Sequence, residues 1–404
     1  MDERLSNLLK QLDLDIRTGK SETVQTKLRR LVPGEIPREF AATVANLSRR
    51  VNLPDLAIGV LHPVVRSKDR LQIKATGKEL AEYAAALTYV GASHEAYGLL
   101  KKVDPEMAPE ALLYQAFALF AQWNYKGSID PLTKYINCKN ISDYDRLVGK
   151  ANLASALLFE RINPDTEEIL NSVVREAQDG GYRLLLGNAL QMLAENHIQL
   201  GNWGTADKLL YEAEATMQNP SSLYVLFIKK WRAFLAILSE GVSTLTLTEL
   251  KKVKFEAKRM KHPETVRDCD RLESIVTKNQ KLLLYVYFGT SFTNFRKRLL
   301  ADFKDHVTIP DIYFWGYRPG EIPADAPELD LESATLCFRE SSGIIKKINP
   351  PFKIHGPQHR LLITLSSDFY RSFRLRALYA SLFPGEFYDP ESSDRRVRAC
   401  VAEL

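Results

Sequence analysis

Residues 188–220 read NALQMLAENHIQLGNWGTADKLLYEAEATMQNP and form the clearest repeat unit of the chain. Apolar and small side chains recur at helical spacing on both sides of the turn at 200–203, whose sequence is Leu-Gly-Asn-Trp. Ala194 and Ala206 are small enough to let two helices approach closely, and Pro220 ends the second helix. The stretch therefore predicts a helical hairpin, with Leu190 and Leu193 in its first helix and Leu210 and Ala213 in its second.

Weaker copies of this hairpin precede it, in residues 12–33, 38–63, 79–105 and 111–136. Their second-helix anchors are Val24, Ala57, Ala96 and Ser128, separated by 33, 39 and 32 residues. The next anchor, Ala206, lies 78 residues further on, which leaves room for one more unit in residues 147–177. Stacked hairpins bury a continuous seam that one hairpin cannot bury alone. The pattern predicts degenerate helical repeats, and an irregular helical bundle is the alternative.

The turn Gly201-Asn202-Trp203, the small residues Ala206 and Ala213, and the late Pro220 resemble a tetratricopeptide repeat. The resemblance implies an α-solenoid of degenerate hairpins through residues 1–281. It also implies a groove, lined by exposed residues of the first helices, that takes a protein or peptide ligand. The residues that this resemblance places in the groove are Asn46, Arg49, Phe117, Phe120, Asn188, Gln191 and Glu195.

Composition places the chain among ordinary globular proteins, with 45% hydrophobic and 26% charged residues. No run of eighteen apolar residues exists, so we expect no membrane span. The first twenty residues carry Asp2, Glu3, Asp13 and Asp15, unlike a secretory signal, and we expect a cytoplasmic protein. Four scattered cysteines show neither metal-ligand spacing nor a disulfide framework.

A basic helix is predicted at residues 248–261, which read TELKKVKFEAKRMK. Its period puts Val253 and Ala257 on one side and Lys251, Lys254, Lys258 and Lys261 on another. A solvated helix face is the plainer interpretation, and contact with an acidic partner is the alternative.

After about residue 282 the sequence no longer shows the helical-repeat pattern. We treat residues 282–330 as a connector, because Pro and Gly cluster in 308–330. Residues 334–354 then show two short β-type runs, and three helical stretches follow to residue 404. This order is similar to the winged helix-turn-helix domain of response regulators. The resemblance implies a small α+β domain over 331–404, without the final wing that the family carries.

The winged-helix resemblance implies that the third helix enters the major groove of double-stranded DNA. It places Arg395, Arg396 and Arg398 on that helix, where arginine can contact phosphate or guanine. Lys353, Arg371 and Arg374 would add phosphate contacts. The missing wing and the acidic residues around the third helix favour the alternative, an adaptor that binds only proteins.

Catalytic motifs are not found in the sequence. It contains no Walker A loop, no dinucleotide glycine fingerprint and no Gly-x-Ser-x-Gly elbow. We therefore expect a non-enzymatic protein without cofactor or metal. Our first hypothesis is a regulator whose repeats receive a protein or peptide signal and whose terminal domain binds DNA. The second is a scaffold of tetratricopeptide-like repeats that mediates protein–protein interaction.

Overall fold

The computed structural model describes residues 2–17, 20–66, 73–217, 223–309, 327–330, 335–339, 345–347, 353, 355–389 and 392–403. The described part is mainly helical and forms two compact units, Met1–Pro220 and Ser221–Leu404. The predicted domain boundary lay at 281/282, so three helices before it group with the second unit instead. Within the described ranges, no helix is both long and apolar enough to cross a membrane.

The first unit is built from twelve described α-helices that follow one another as pairs. They are α1 (Asp2–Arg17), α2 (Ser21–Leu28), α3 (Arg38–Arg50), α4 (Pro54–Val65), α5 (Gly77–Tyr89), α6 (Ser93–Leu100), α7 (Glu110–Phe120), α8 (Tyr125–Ile136), α9 (Asp143–Phe159), α10 (Asn163–Asp179), α11 (Arg183–Gln199) and α12 (Trp203–Thr216). First helices also contact one another, α3 with α5 and α5 with α7, so they form one layer of a stack.

Each tight turn after a first helix, from α3 to α11, contains one residue with positive φ. These residues are Asn52, Gly91, Trp123, Arg161 and Gly201. In each turn two backbone hydrogen bonds cap the C-terminal end of the first helix. At the first turn, for example, the amide of Leu53 donates to the carbonyl of Ser48 at 2.8 Å, and that of Asn52 to Arg49 at 3.1 Å. This pair of bonds is the Schellman cap, which reverses the chain within three or four residues. The hairpin geometry therefore recurs even where glycine is missing.

The predicted second-helix anchors lie in the seam between the helices. Val24, Ala57, Ala96, Ser128 and Ala206 are all fully buried. The unit without a recognisable turn signature is the pair α9 and α10, and its anchor is the fully buried Thr166, whose hydroxyl donates to the carbonyl of Ile162 at 2.8 Å. The prediction of stacked helical hairpins is confirmed for the first unit.

The second unit contains eight described helices and a small sheet. The helices are α13 (Leu223–Glu240), α14 (Thr244–Arg259), α15 (Pro263–Val276), α16 (Gln280–Phe288), α17 (Thr293–Phe303), α18 (Pro357–Ser366), α19 (Leu375–Leu382) and α20 (Ser393–Ala402). Strands β1 (Pro327–Asp330), β2 (Thr335–Arg339) and β3 (Ile345–Lys347) form one antiparallel sheet in the order β1-β2-β3. Helices α18, α19 and α20 contact one another around Leu361, Leu382 and Val397.

Two sequence predictions for this unit differ from the structure. The segment 282–330 was predicted as a connector, yet α17 and most of α16 lie within it and β1 ends it. Residues 310–326, which hold most of the Pro and Gly that suggested a connector, lie outside the described residues. Lys254 was predicted to face solvent, but it is buried and pairs with Asp270 of α15.

Candidate functional site

Three buried side chains from three successive first helices form a polar network in the first unit. Arg49 of α3 donates to the hydroxyl of Tyr114 on α7 at 2.8 Å, and that hydroxyl donates to Glu82 of α5 at 2.5 Å. The guanidinium also lies 4.6 Å from the centroid of the Tyr114 ring and pairs with Glu82 at 3.3 Å. The network therefore fixes the register of three hairpins at once.

The environment of this network keeps Arg49 charged and Tyr114 protonated. Burial by itself would lower the pKa of Arg49, but Tyr114 and Glu82 beside it raise the pKa above the ordinary value of arginine. Burial raises the pKa of Tyr114 well above its usual value, although Arg49 opposes the shift. A folded chain tolerates buried ions when they are paired and their hydrogen bonds are satisfied, as they are here.

Two predicted groove residues are part of this network. Arg49 is only 5% exposed. The amide of Asn46 donates to Glu82 at 2.7 Å and to Tyr114 at 3.2 Å. Both side chains thus have partners inside the first unit, and their contact with a ligand stays a prediction. These contacts could not be predicted from local periodicity, because Glu82 and Tyr114 are 36 and 68 residues from Asn46.

A chain of aromatic rings continues from the network, and we call it the aromatic chain. It consists of Tyr114, Phe117, Phe120, Trp123, Tyr125 and Phe159. Tyr125 of α8 stacks on Phe159 of α9 with ring centroids 3.8 Å apart and planes 9° apart. Trp123 meets both rings edge-on at 5.5 Å. All of these rings except Tyr114 are half-buried, so part of each ring stays accessible, while Phe117 and Phe120 also pack against the core of the first unit.

Phe117 and Phe120, both predicted for the groove, belong to the aromatic chain. The three predicted residues of α11 lie elsewhere in the first unit. Gln191 is buried and its amide lies 3.5 Å from the carboxylate of Glu195, which is half-buried like Asn188. Sequence reasoning missed Trp123, Tyr125 and Phe159, because a turn residue and two helix ends do not share a helical period.

In the second unit, a short segment between α18 and α19 inserts among other helices. Arg267 of α15 donates through Nη2 to both oxygens of Asp368, at 2.9 and 2.7 Å, and both side chains are fully buried. Burial would lower the pKa of Arg267, but Glu264 and Asp368 raise it. The ring of Tyr370 lies over the guanidinium at 5.0 Å and its hydroxyl donates to Asp270 at 3.1 Å.

Phe369 completes this insertion at α16. Its amide donates to the carbonyl of Gly289 at 3.1 Å, and its ring lies 5.3 Å from the ring of Tyr285. A Cβ atom added to Gly289 would lie 2.6 Å from the Phe369 ring. The role of residues 288–298 was not evident from the sequence. In the structure, the beginning of this segment receives Phe369. We call residues 368–371 the inserted segment.

The predicted DNA contacts have different surroundings. Arg395 and Arg398 lie exposed on one face of α20, opposite the buried Val397 and Cys400. Arg396 lies between these faces: it pairs with Glu386 through both of its terminal nitrogens and packs 3.9 Å from the centroid of the Phe383 ring. The side-chain hydrogen bond with Glu386 raises the pKa of Arg396.

The remaining three predicted contacts are spread over the C-terminal segment. Arg371 pairs with Asp368 at 2.8 Å and lies over the ring of Phe292 at 4.8 Å, so it belongs to the inserted segment. Arg374, which precedes α19, and Lys353 are exposed. No group of three or more His, Cys, Asp or Glu residues within the described ranges is arranged to hold a metal ion.

No protein-family model matches the chain. No curated protein matches it either. Among solved structures, a tetratricopeptide repeat protein from Parabacteroides merdae ATCC 43184 is similar over 74% of this chain and 98% of its own, with 14% sequence identity and a TM-score of 0.38. The fold assignment for this chain rests on the helix pairs and buried anchors described above.

Proposed function

We propose that this chain is a non-enzymatic helical-repeat protein that binds a protein or peptide partner through the aromatic chain of its first unit. The supporting observation is the set of half-buried rings that follows the buried network from Phe117 to Phe159. Aromatic side chains dominate binding hot spots, because a rigid ring buries a large area at low entropy cost. The chemistry suits an apolar or aromatic anchor of the partner.

The neighbouring polar network of Arg49, Glu82 and Tyr114 supports this proposal, because it restricts the positions of the rings. Phe117 lies three residues after Tyr114 on α7, and their ring centroids are 6.0 Å apart. Since Tyr114 is fixed by Arg49 and Glu82, the rings next to it are positioned before any ligand arrives. Such preorganisation lowers the entropy that a binding site loses on association.

Selection from a random peptide display library against the full-length chain tests this function. The selected peptide, made synthetically, is titrated by fluorescence anisotropy against wild type and a Phe117→Leu, Phe120→Leu double variant. We expect the double variant to bind about tenfold more weakly, since hot-spot truncation removes roughly 1–2 kcal/mol. Tyr211→Ala, at an exposed ring of α12, is the matched control and keeps wild-type affinity. Equal affinity for all three proteins excludes the aromatic chain as the binding surface.

A second candidate function is DNA binding by α20, in keeping with the resemblance to a winged-helix domain. It is favoured by Arg395 and Arg398, which are exposed side by side on a helix that packs against α18 and α19 after an antiparallel sheet. Guanidinium groups on one helix face suit phosphate and guanine contacts in a major groove. A scaffold that binds only proteins is the alternative, and Arg396 does not discriminate between the two, because it is engaged with Glu386.

Electrophoretic mobility shift with genomic fragments at low salt separates these alternatives. The Arg395→Ala, Arg398→Ala double variant is compared with Arg29→Ala, Arg30→Ala, which removes two exposed arginines from the first unit. DNA binding through α20 predicts that only the first double variant loses affinity and that the salt slope falls by about 1.8, at about 0.9 per lost phosphate contact. Equal affinity of both double variants rejects this candidate.

A further inference from the structure

One exposed face of α14 combines cations with an aromatic ring. Phe255 is 71% exposed, and the residues three and four positions away from it in both directions are all basic. These four are Lys251, Lys252, Lys258 and Arg259. Among the exposed large hydrophobic residues of the described ranges, Phe255 alone has this surrounding. We call these five residues the basic-aromatic face.

The core packing of α14 does not account for this face. The helix buries Leu250, Val253 and Ala257 on its opposite side. Lys254, the remaining lysine of the run, points into the core, where it pairs with Asp270. The exposed ring and its cations therefore contribute nothing to the hydrophobic seam.

Glu249 and Glu256 are the acidic residues of α14 nearest to this positive charge. Glu249 pairs with Lys252 at 2.7 Å, but both side chains are exposed, and such surface pairs are weak in water. Glu256 lies toward α13, where both of its oxygens accept from Lys229 at 2.9 and 3.0 Å. All four cations and the ring of Phe255 are exposed, so the face offers positive charge and a flat apolar ring to solvent.

The composition of the face indicates its partner. Lysine is depleted in the cores of protein–protein interfaces, so three lysines around one ring argue against a protein ligand. A helix that lies on a membrane needs a broad apolar face toward the lipid, and the apolar face of α14 is buried in the second unit. Cations next to an aromatic ring are typical of surfaces that bind single-stranded nucleic acid. In a single strand the phosphates can contact the cations and the unpaired bases can stack on the ring.

We propose that the basic-aromatic face binds single-stranded nucleic acid, with Phe255 stacking on a base and the four cations contacting phosphates on either side. From Lys251 to Arg259 the helix advances about 12 Å, which matches about two nucleotides of an extended strand. This site is independent of the aromatic chain and of α20.

Anisotropy of a fluorescent oligothymidine of about 12 nucleotides tests the proposal with the full-length chain at low salt. Loss of the stacked base should weaken single-strand affinity about tenfold in Phe255→Ala, while affinity for a duplex of the same length stays unchanged. The matched control is Tyr211→Ala, whose ring is 69% exposed on α12 but has Asp207, Lys208, Glu214 and Ala215 at the corresponding positions. It should leave both affinities unchanged.

A second variant tests the charges. Lys251→Ala combined with Arg259→Ala should reduce the slope of log affinity against log salt by about 1.4, since each single-strand phosphate contact contributes roughly 0.7. Both substitutions are at exposed positions, so the thermal unfolding temperature should stay at the wild-type value.

Three results overturn the proposal. One is the absence of single-strand binding at low salt. Another is binding that Phe255→Ala leaves intact but the Arg395→Ala, Arg398→Ala double variant abolishes, which assigns the nucleic acid to α20. The third is capture of anionic vesicles or polyglutamate with the same dependence on Phe255 while the oligothymidine does not bind.

Discussion

Arg267 and Asp368, 101 residues apart in the sequence, form an ion pair in which neither side chain is exposed to solvent. One belongs to α15 and the other to the inserted segment that precedes α19. The pair joins α15 to the segment before α19 within the second unit, although the helical-repeat pattern of the sequence continues to residue 281. The segment that connects α18 to α19 therefore contacts α15 through a buried ion pair and through the apolar packing of Tyr370.

Replacing Asp368 with asparagine should destabilise the second unit by about 3 kcal/mol, because it removes the buried carboxylate that pairs with Arg267 and leaves the half-exposed Glu264 beside the buried guanidinium. Hydrogen exchange of α18 and α19 measures this local stability. An apolar pair, Arg267→Met with Asp368→Leu, should recover most of the loss, since it removes both charges. If Asp368→Asn exchanges like wild type, the ion pair does not hold the segment in place.

Gly289→Ala should lower the free energy of unfolding by roughly 1–3 kcal/mol, as overpacked sites do. The new methyl group would lie 2.6 Å from the Phe369 ring and 2.8 Å from the carbonyl oxygen of Tyr285, so the inserted segment must shift. Gly98→Ala in α6 is the control: nothing lies within 4 Å of its Cβ position, and loss of a mid-helix glycine should stabilise by roughly 0.5–1 kcal/mol. Urea denaturation followed by circular dichroism compares the two variants. Equal stabilities would contradict the close approach of Phe369.

Lys261→Gly should stabilise the second unit by about 1 kcal/mol, because Lys261 has φ of 55° in the turn between α14 and α15, and a left-handed conformation strains residues with a Cβ atom. The reverse change, Gly201→Ala at φ of 78° in the turn before α12, should destabilise the first unit by a similar amount. Thermal unfolding of both variants checks the signs. Two changes of the same sign would mean that turn strain is unimportant here.

Glu79→Gln should reduce the sensitivity of the first unit to acid. Burial alone would raise the pKa of Glu79, but hydrogen bonds from Arg38 and from the amide and hydroxyl of Thr76 lower it below its ordinary value. A lowered folded-state pKa contributes stability above the unfolded pKa, and that contribution disappears as pH falls from about 4.3 through the folded value. Denaturation midpoints measured from neutral pH to pH 3 test this expectation. A variant whose midpoint falls with pH as steeply as that of wild type would show that Glu79 is not responsible.

Helix pairs could be predicted from the sequence because small buried residues recur at one place in each pair. Val24, Ala57, Ala96, Ser128 and Ala206 are all at that place. The pair α9–α10 escaped the pattern, since its anchor is Thr166 and its turn uses Arg161 in the left-handed region. The Schellman cap depends on backbone bonds, so residues other than glycine can adopt it, and a glycine signature finds only some of the turns.

Side-chain partners were less predictable than helices. Arg49 has the period of an exposed first-helix residue, and only its neighbours Glu82 and Tyr114 on two later helices make burial favourable. Arg371 likewise resembles a surface cation until Asp368 and Phe292 are placed beside it. Such contacts depend on how separate helices meet, which local periodicity does not encode. Arg395 and Arg398 could be predicted as exposed, because a single helix determines their face.

The hydrogen bonds among Arg49, Glu82 and Tyr114 restrict how the gene of this protein can change length. Inserting or deleting one residue within α3, α5 or α7 rotates everything beyond it by about 100° and carries a member of the trio away from its partners. Such frame-preserving indels should therefore be tolerated in the connections between hairpins and rejected inside these three helices. Natural variation in length among homologous chains would then mark the boundaries of the repeats more sharply than residue identity does.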